Sequence, residues 1–274
     1  GAVYSWGIKN VASTQETAVS EIVLFRTDLS TKKSEILLRT QESAEEFKYT
    51  KSYSRDIQVS QNKIYIKNRI YDIEQDMFTD ILYESDGTQG NGLKEVFHAS
   101  SPRDCNNRTV GEEYTSLRNF AVDNEENMFY VDELHREKMS LNVALYKYNF
   151  NTMERSKICD FDSVVGYRVM CDDDFIYMNI YGDSINRLIV MDKTGKELYE
   201  KRYNSDEKQS AICDIVGVDK RYLIIATDEN TDFSFNKEEK SEKSDTAKYA
   251  ILRKDVIGTG NEEWALMYNG KFIQ

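Results

Sequence analysis

Five stretches of this chain repeat one plan: an apolar strand, an Asp or Asn, a short polar turn, then a second strand. They are EIVLFRTDLSTKKSEILLRT (21–40), DILYESDGTQGNGLKEVFHA (80–99), VALYKYNFNTMERSKICDF (143–161), NRLIVMDKTGKELYEKRY (186–203) and YAILRKDVIGTGNEEWALMY (249–268). The turn begins at Asp28, Asp86, Asn149, Asp192 or Asp255. Asp and Asn suit that place because their side chains bond backbone amides two residues on.

A second hairpin alternates with the first: RDIQVSQNKIYIKN (55–68), RNFAVDNEENMFYVDE (118–133), YRVMCDDDFIYMNI (167–180) and DIVGVDKRYLIIAT (214–227). Val59, Val122, Met170 and Val218 hold equivalent places, separated by 63, 48 and 48 residues. Two hairpins in series make a four-stranded antiparallel meander, with strands A to D. Such units at this period are the signature of an all-β β-propeller, because one meander cannot cover both its faces and must stack on neighbours. The expectation is a single propeller over 1–274 with five blades, six being the alternative, at about 3–40, 53–99, 116–161, 165–204 and 211–268. The first blade lacks an A strand, so the tail 269–274 is expected to supply it and close the ring.

The turn pattern in Leu145-Tyr146…Asn149 and in Met191-Asp192-Lys193-Thr194-Gly195-Lys196, with the Ile-Tyr steps Ile64-Tyr65 and Ile176-Tyr177, resembles TolB-like propeller repeats of bacterial envelope and secreted proteins. The resemblance covers nearly the whole chain and implies architecture and a place outside the cytoplasm, secreted or envelope-attached. Five blades depart from TolB itself, so its partners are not carried over.

A net charge of −12 argues against nucleic acid and anionic membrane surfaces. No apolar run reaches the ~18 residues of a membrane span. Gly1 has the look of a residue left by tag removal, which leaves a lost leader compatible with the sequence. Cys105, Cys159, Cys171 and Cys213 lack metal-ligand spacing and read as buried thiols, with a Cys105–Cys159 bridge as the alternative. No cofactor and no metal are expected.

The A–B turns are short, whereas the stretches 9–20, 41–54, 67–79, 99–117, 132–142 and 228–248 read as long B–C or D–A connections. In an up-and-down blade those connections share one face, which is taken as the binding face. At its centre the A strands start with polar residues: Arg55-Asp56, Arg118-Asn119, Tyr167-Arg168 and Asp214. These form the expected ligand site, either gripping a polar or anionic group through guanidinium forks or simply pairing among themselves.

Other candidates are weaker. Asp172, Asp173 and Asp174 fall in a tight turn and lack the alternation of a calcium loop. His98 and His135 have no nucleophile motif for company, and 236–245 has the composition of a solvated loop. Tyr49, Tyr53, Tyr71, Tyr114 and Tyr181 could stack on sugars or merely reflect strand composition. Two functions stay open. One is a monomeric, non-catalytic propeller binding a protein, glycan or small polar molecule. The other is a glycoside hydrolase using Asp56 and Asp214, with Asp183 and Asp228 as substitutes.

Overall fold

The computed structural model describes residues 2–13, 18–42, 50–60, 63–72, 74–87, 93–102, 113–134, 141–182, 185–204, 214–227, 248–268 and 271–273. The fold is all-β and antiparallel, and it divides into two compact units, Gly1–Leu117 and Arg118–Gln274.

In the first unit, β1 (Ala2–Ser13), β2 (Ala18–Asp28) and β3 (Ser34–Glu42) form one meander. A second follows with β4 (Thr50–Ser60), β5 (Lys63–Asp72), β6 (Met77–Ser85) and β7 (Lys94–Pro102). Leu24 and Leu37 of the first sheet pack on Ile64 of the second, with Tyr4, Ile57 and Ile66 around them. The alternation of apolar residues along each strand gives each sheet a face to bury in this way.

β8 (Glu113–Val122) straddles the boundary and leads into β9 (Asn127–Leu134), β10 (Leu141–Asn149), β11 (Arg155–Cys171), β12 (Phe175–Gly182), β13 (Ile185–Asp192) and β14 (Glu197–Asn204), one continuous seven-stranded sheet. The 17-residue β11 explains the merger. Its first half pairs with β10 and its second with β12, the change falling at the irregularity around Val164 and Gly166. One strand thus ends a meander and begins the next, where the sequence predicts a break between 161 and 165. The last sheet holds β15 (Asp214–Val218), β16 (Tyr222–Thr227), β17 (Lys248–Arg253), β18 (Trp264–Tyr268) and β19 (Lys271–Ile273).

The tail does not take the place expected of it. Lys271–Ile273 pairs with β18 as the fifth strand of the last sheet. Tyr268 pairs with Lys271, which sets the register of the added strand.

The connections are also shorter than predicted. β5 and β6 extend until only 73–76 separates them, and only 135–140 lies between β9 and β10. Polar residues such as Asn68 and Arg69 continue the ladder, because strand pairing uses backbone groups whatever the side chain. On the opposite side, the β17–β18 connection spans 254–263 and contains a 3-10 helix, Lys254–Val256. The expected asymmetry of loops is therefore smaller than the sequence implies. The stretches 103–112 and 228–247 lie outside the described residues.

Most turns are closed by the predicted chemistry. Asp28 accepts the amides of Ser30 and Thr31, Asn149 those of Asn151 and Thr152, and Asp192 those of Thr194 and Lys196. One assignment shifts: Asp255 sits in the 3-10 helix, paired with Arg253. Ser85 accepts the Gly87 amide after β6, and residues 88–92 of that turn lie outside the described residues.

Within the second unit, consecutive meanders stack face to face. Phe129, Val131, Val143 and Leu145 pack on Ile176, Met178, Ile180 and Ile189. The other face of β12–β13 (Tyr177, Leu188, Val190) packs on Ile215, Leu223, Ile225 and Leu252. These two seams are the core, and their ends are where charge and hydrogen bonds collect.

Candidate functional site

Each seam in the second unit has a turn end and an opposite end. At the turn end, Lys193 Nζ lies 3.2 Å from Asp123 Oδ2 and also donates to the Asp172 carbonyl. Lys254 Nζ lies 2.7 Å from Asp172 Oδ2 and 3.5 Å from Asp174. Asp172 further accepts the Asp174 and Phe175 amides and the Tyr177 hydroxyl. Burial raises the Asp172 carboxyl, but the bonds from Lys254, Tyr177 and the turn amides outweigh it and hold the group below its ordinary value. Asp173 accepts from Asn124. The acidic turn is thus taken up by amides, a phenol and a lysine, which is a structural use of its charges.

Toward the opposite end, amides and phenols stand alongside the ion pairs of Arg187 and Arg202 with Glu200. Asn119 Nδ2 donates to the Tyr167 carbonyl at 2.9 Å, tying neighbouring A strands. The Tyr167 hydroxyl donates to Glu133 Oε1 at 3.0 Å, and Glu133 is 1% exposed. On the other face of the same sheet, Arg168 stands opposite Asn179, and Asn179 Nδ2 donates to the Tyr181 hydroxyl at 3.0 Å. Side chains alternate along β11, so Tyr167 faces one seam and Arg168 the other. Arg118 is exposed.

The predicted residues are therefore brought together only in part. Asn119 and Tyr167 meet; Arg168 lies across the sheet. Arg55 and Arg118 are each the sixth residue of their strand, not its start, because β4 and β8 begin at Thr50 and Glu113. In the first unit, Asp56 forms an ion pair with Lys67, itself 1% exposed. The backbones of Arg55 and Asp214 pair with Asn68 and Ala226. Their side chains, together with Asp183, Asp228, His135 and Tyr49, fall outside the described residues. His98 lies on the surface, 2.9 Å from Glu95. Tyr71 donates to Asp76 at 2.6 Å.

The Cys105–Cys159 bridge is a correction: Cys159 is a free thiol, as is Cys171. Burial pushes the Cys159 thiol up to about 11 and the Cys171 thiol up to about 12, so both stay protonated at neutral pH.

The sequence reading missed the B strands. Lys67, Asp132 and Asn179 each stand two residues after a buried tyrosine (Tyr65, Tyr130, Tyr177), and all three are nearly inaccessible. Asp132 is held by Arg155, whose guanidinium lies 3.8 Å from the Tyr146 ring centre and bonds Tyr130 Oη at 2.8 Å. The signal was available: aligning the B strands puts a polar residue at one repeated place in three meanders.

No family model matches the chain, and no curated protein matches it. Among solved structures, a prolyl endopeptidase is similar over 95% of this chain at 10% identity and TM-score 0.50, and the chain spans about a third (35%) of that enzyme. The α-L-arabinofuranosidase of Fusarium graminearum, solved with arabinobiose, is similar over 94% of this chain and 73% of its own, at 8% identity and TM-score 0.50. The β-propeller domain of the trilobed protease from Pyrococcus furiosus is similar over 98% and 82%, at 10% identity and TM-score 0.41. The trilobed-protease domain is described as a β-propeller, and the prolyl endopeptidase and the arabinofuranosidase are enzymes. At these identities the likeness concerns the fold alone. No helix among the described residues is long and apolar enough to cross a membrane.

Proposed function

We propose that the chain is a five-bladed β-propeller acting outside the cytoplasm as a binding module, with its ligand at the seam ends opposite the A–B turns. The observation that carries this is the contrast between the two ends. At the turns, acidic side chains are neutralised by lysines. Away from the turns stand amides, phenols and half-exposed or exposed guanidiniums, Asn119, Tyr181, Arg168 and Arg118, together with the ion pairs of Arg187 and Arg202 with Glu200. Groups of this kind fix a polar ligand by hydrogen bonds. The glycosidase reading has less support, since Asp56 is paired with Lys67 and a catalytic pair needs one carboxyl free to trade protons.

The test is a glycan array run beside capture from a cell-envelope extract, with wild type, Arg118→Glu and Lys196→Glu. Both replaced residues are exposed, Lys196 closing the β13–β14 turn and Arg118 midway along β8. Arg118→Glu is expected to lower whichever signal wild type gives by about fivefold or more, as loss of a charge-assisted bond does, while Lys196→Glu leaves it unchanged. The reverse ranking would contradict the proposal.

A further inference from the structure

We infer that the paired guanidiniums of Arg187 and Arg202 take the singly charged carboxylate of a ligand. This rests on the binding reading above and gives its polar ligand a charge.

Strand pairing sets the place. Tyr167 of β11 stands opposite Ile180 of β12, Ile180 opposite Arg187 of β13, and Arg187 opposite Arg202 of β14. Directly paired residues share one face of a sheet, so these four form a row from Tyr167 out to the edge strand. The row begins inside the seam, where Ile180 is 2% exposed, and emerges at the arginines, whose side chains are 30% and 64% exposed.

Like charges set directly opposite each other across two strands repel. Among the described residues, Glu200 is the only carboxylate within ion-pair distance of either guanidinium. Its Oε1 accepts from Arg187 Nε at 2.5 Å, and its Oε2 accepts from Arg202 Nε at 3.0 Å and lies 3.0 Å from Nη2. Burial raises the Glu200 carboxyl, but the bonds from Arg202 and Arg187 outweigh it and hold the group below its ordinary value, so it stays ionised at neutral pH. Two cations thus share one anion, and one positive charge is left over. A guanidinium carries five N–H donors. Glu200 engages Nε of Arg187 and Nε and Nη2 of Arg202, which leaves both terminal nitrogens of Arg187 and Nη1 of Arg202 with donors for a second acceptor.

That acceptor has a defined chemistry. The planar fork of a guanidinium matches the planar edge of a carboxylate, and a single negative charge cancels the surplus. A phosphate monoester, at about −1.5 to −2 at pH 7, would overshoot it beside Glu200. A neutral ring would leave the surplus as it stands. The chain's net charge of −12 does not keep a monoanion out, because exposed charges beyond about 8 Å are largely screened at physiological salt.

NMR titration with glucose, glucuronate and glucose 6-phosphate tests this, since the three share a ring and differ in charge. The proteins are wild type, Arg202→Gln, Glu200→Gln and, as a control, Arg253→Gln, an exposed arginine paired with Asp255 in the β17–β18 connection. Glucuronate is expected to bind wild type about tenfold or more tighter than glucose, and tighter than glucose 6-phosphate. Arg202→Gln should weaken glucuronate about tenfold with unchanged thermal melting, because that side chain is mostly exposed. Glu200→Gln should bind glucuronate about fivefold tighter, since the internal competitor for both forks loses its charge. Arg253→Gln should match wild type. Equal affinity for glucose, tighter binding of glucose 6-phosphate, wild-type affinity in Arg202→Gln or weaker binding in Glu200→Gln would each overturn the inference. The binding reading would still stand if Arg118→Glu lowered the array or capture signal, and would fall with the inference if it did not.

Discussion

Replacing Asp80 by Ala is expected to destabilise the protein by about 3–5 kcal/mol, the cost of stranding a buried charge. Arg69 and Asp80 face each other on β5 and β6, bonded at 2.6 and 2.5 Å, with side chains 6% and 2% exposed. The Arg69 guanidinium also lies 5.1 Å from the Phe78 ring centre, so it cannot swing out to water without losing that contact. Asp80 also holds a neighbouring strand, since its Oδ2 accepts the Leu117 amide at 3.1 Å, while Lys67 Nζ donates to the Leu117 carbonyl at 2.8 Å. One peptide segment is thus pinned from both sides by charged groups. Urea unfolding of the single variant, and of Arg69→Met/Asp80→Leu, separates the ion pair from the amide bond. The double variant should recover most of the loss but not the roughly 1–3 kcal/mol attached to an unpaired buried amide. Full recovery would mean that the Leu117 bond carries no weight.

The second large effect is expected at Lys254, which is 8% exposed and joins the 3-10 helix to the Asp172 turn. Lys254→Met should cost about 3 kcal/mol, toward the lower end for a broken buried pair because Asp172 keeps Tyr177 and two amides. The amine itself loses some basicity to burial, but the Asp172 hydrogen bond and charge more than restore it. The pH dependence has a definite sign. The Asp172 carboxyl titrates lower folded than unfolded, so its share of stability is complete above about pH 4 and disappears as pH falls through the lowered value. In Lys254→Met that depression shrinks, and the gap between variant and wild type should close as the solution is acidified. A gap that stays constant from neutral pH to pH 3 would refute the pairing as its source. Thermal melts across that range are sufficient.

The meanders were legible because their signals are local. Asp28, Asn149 and Asp192 declare turns through bonds made within a few residues, and apolar alternation declares the strands on either side. The ends of strands were not legible in this way. Thr50–Ser54 and Glu113–Leu117 belong to strands only because partner strands offer backbone groups, a fact no side chain announces. For that reason the sequence points to Arg55 and Arg118 as strand starts and overstates the length of the connections. Lys67 and Asn179 were hidden for a different reason. A charged or amide side chain in the middle of a strand reads as a solvent-facing residue until the tertiary partners, Asp56 and Leu117 or Tyr181, are known. The direct contact of Asn119 with the Tyr167 carbonyl likewise depends on two strands 48 residues apart lying side by side.

The central claim is that ligand and structural charge occupy opposite ends of the seams, and amide hydrogen exchange of the protein with and without its captured ligand tests it most directly. Slower exchange is predicted for Val164–Arg168 and Asn179–Gly182, where β11 and β12 meet at the polar end. The turns Asp172–Asp174 and Lys193–Lys196 should be unchanged. Protection confined to those turns, with Val164–Arg168 and Asn179–Gly182 exchanging as before, would contradict the account.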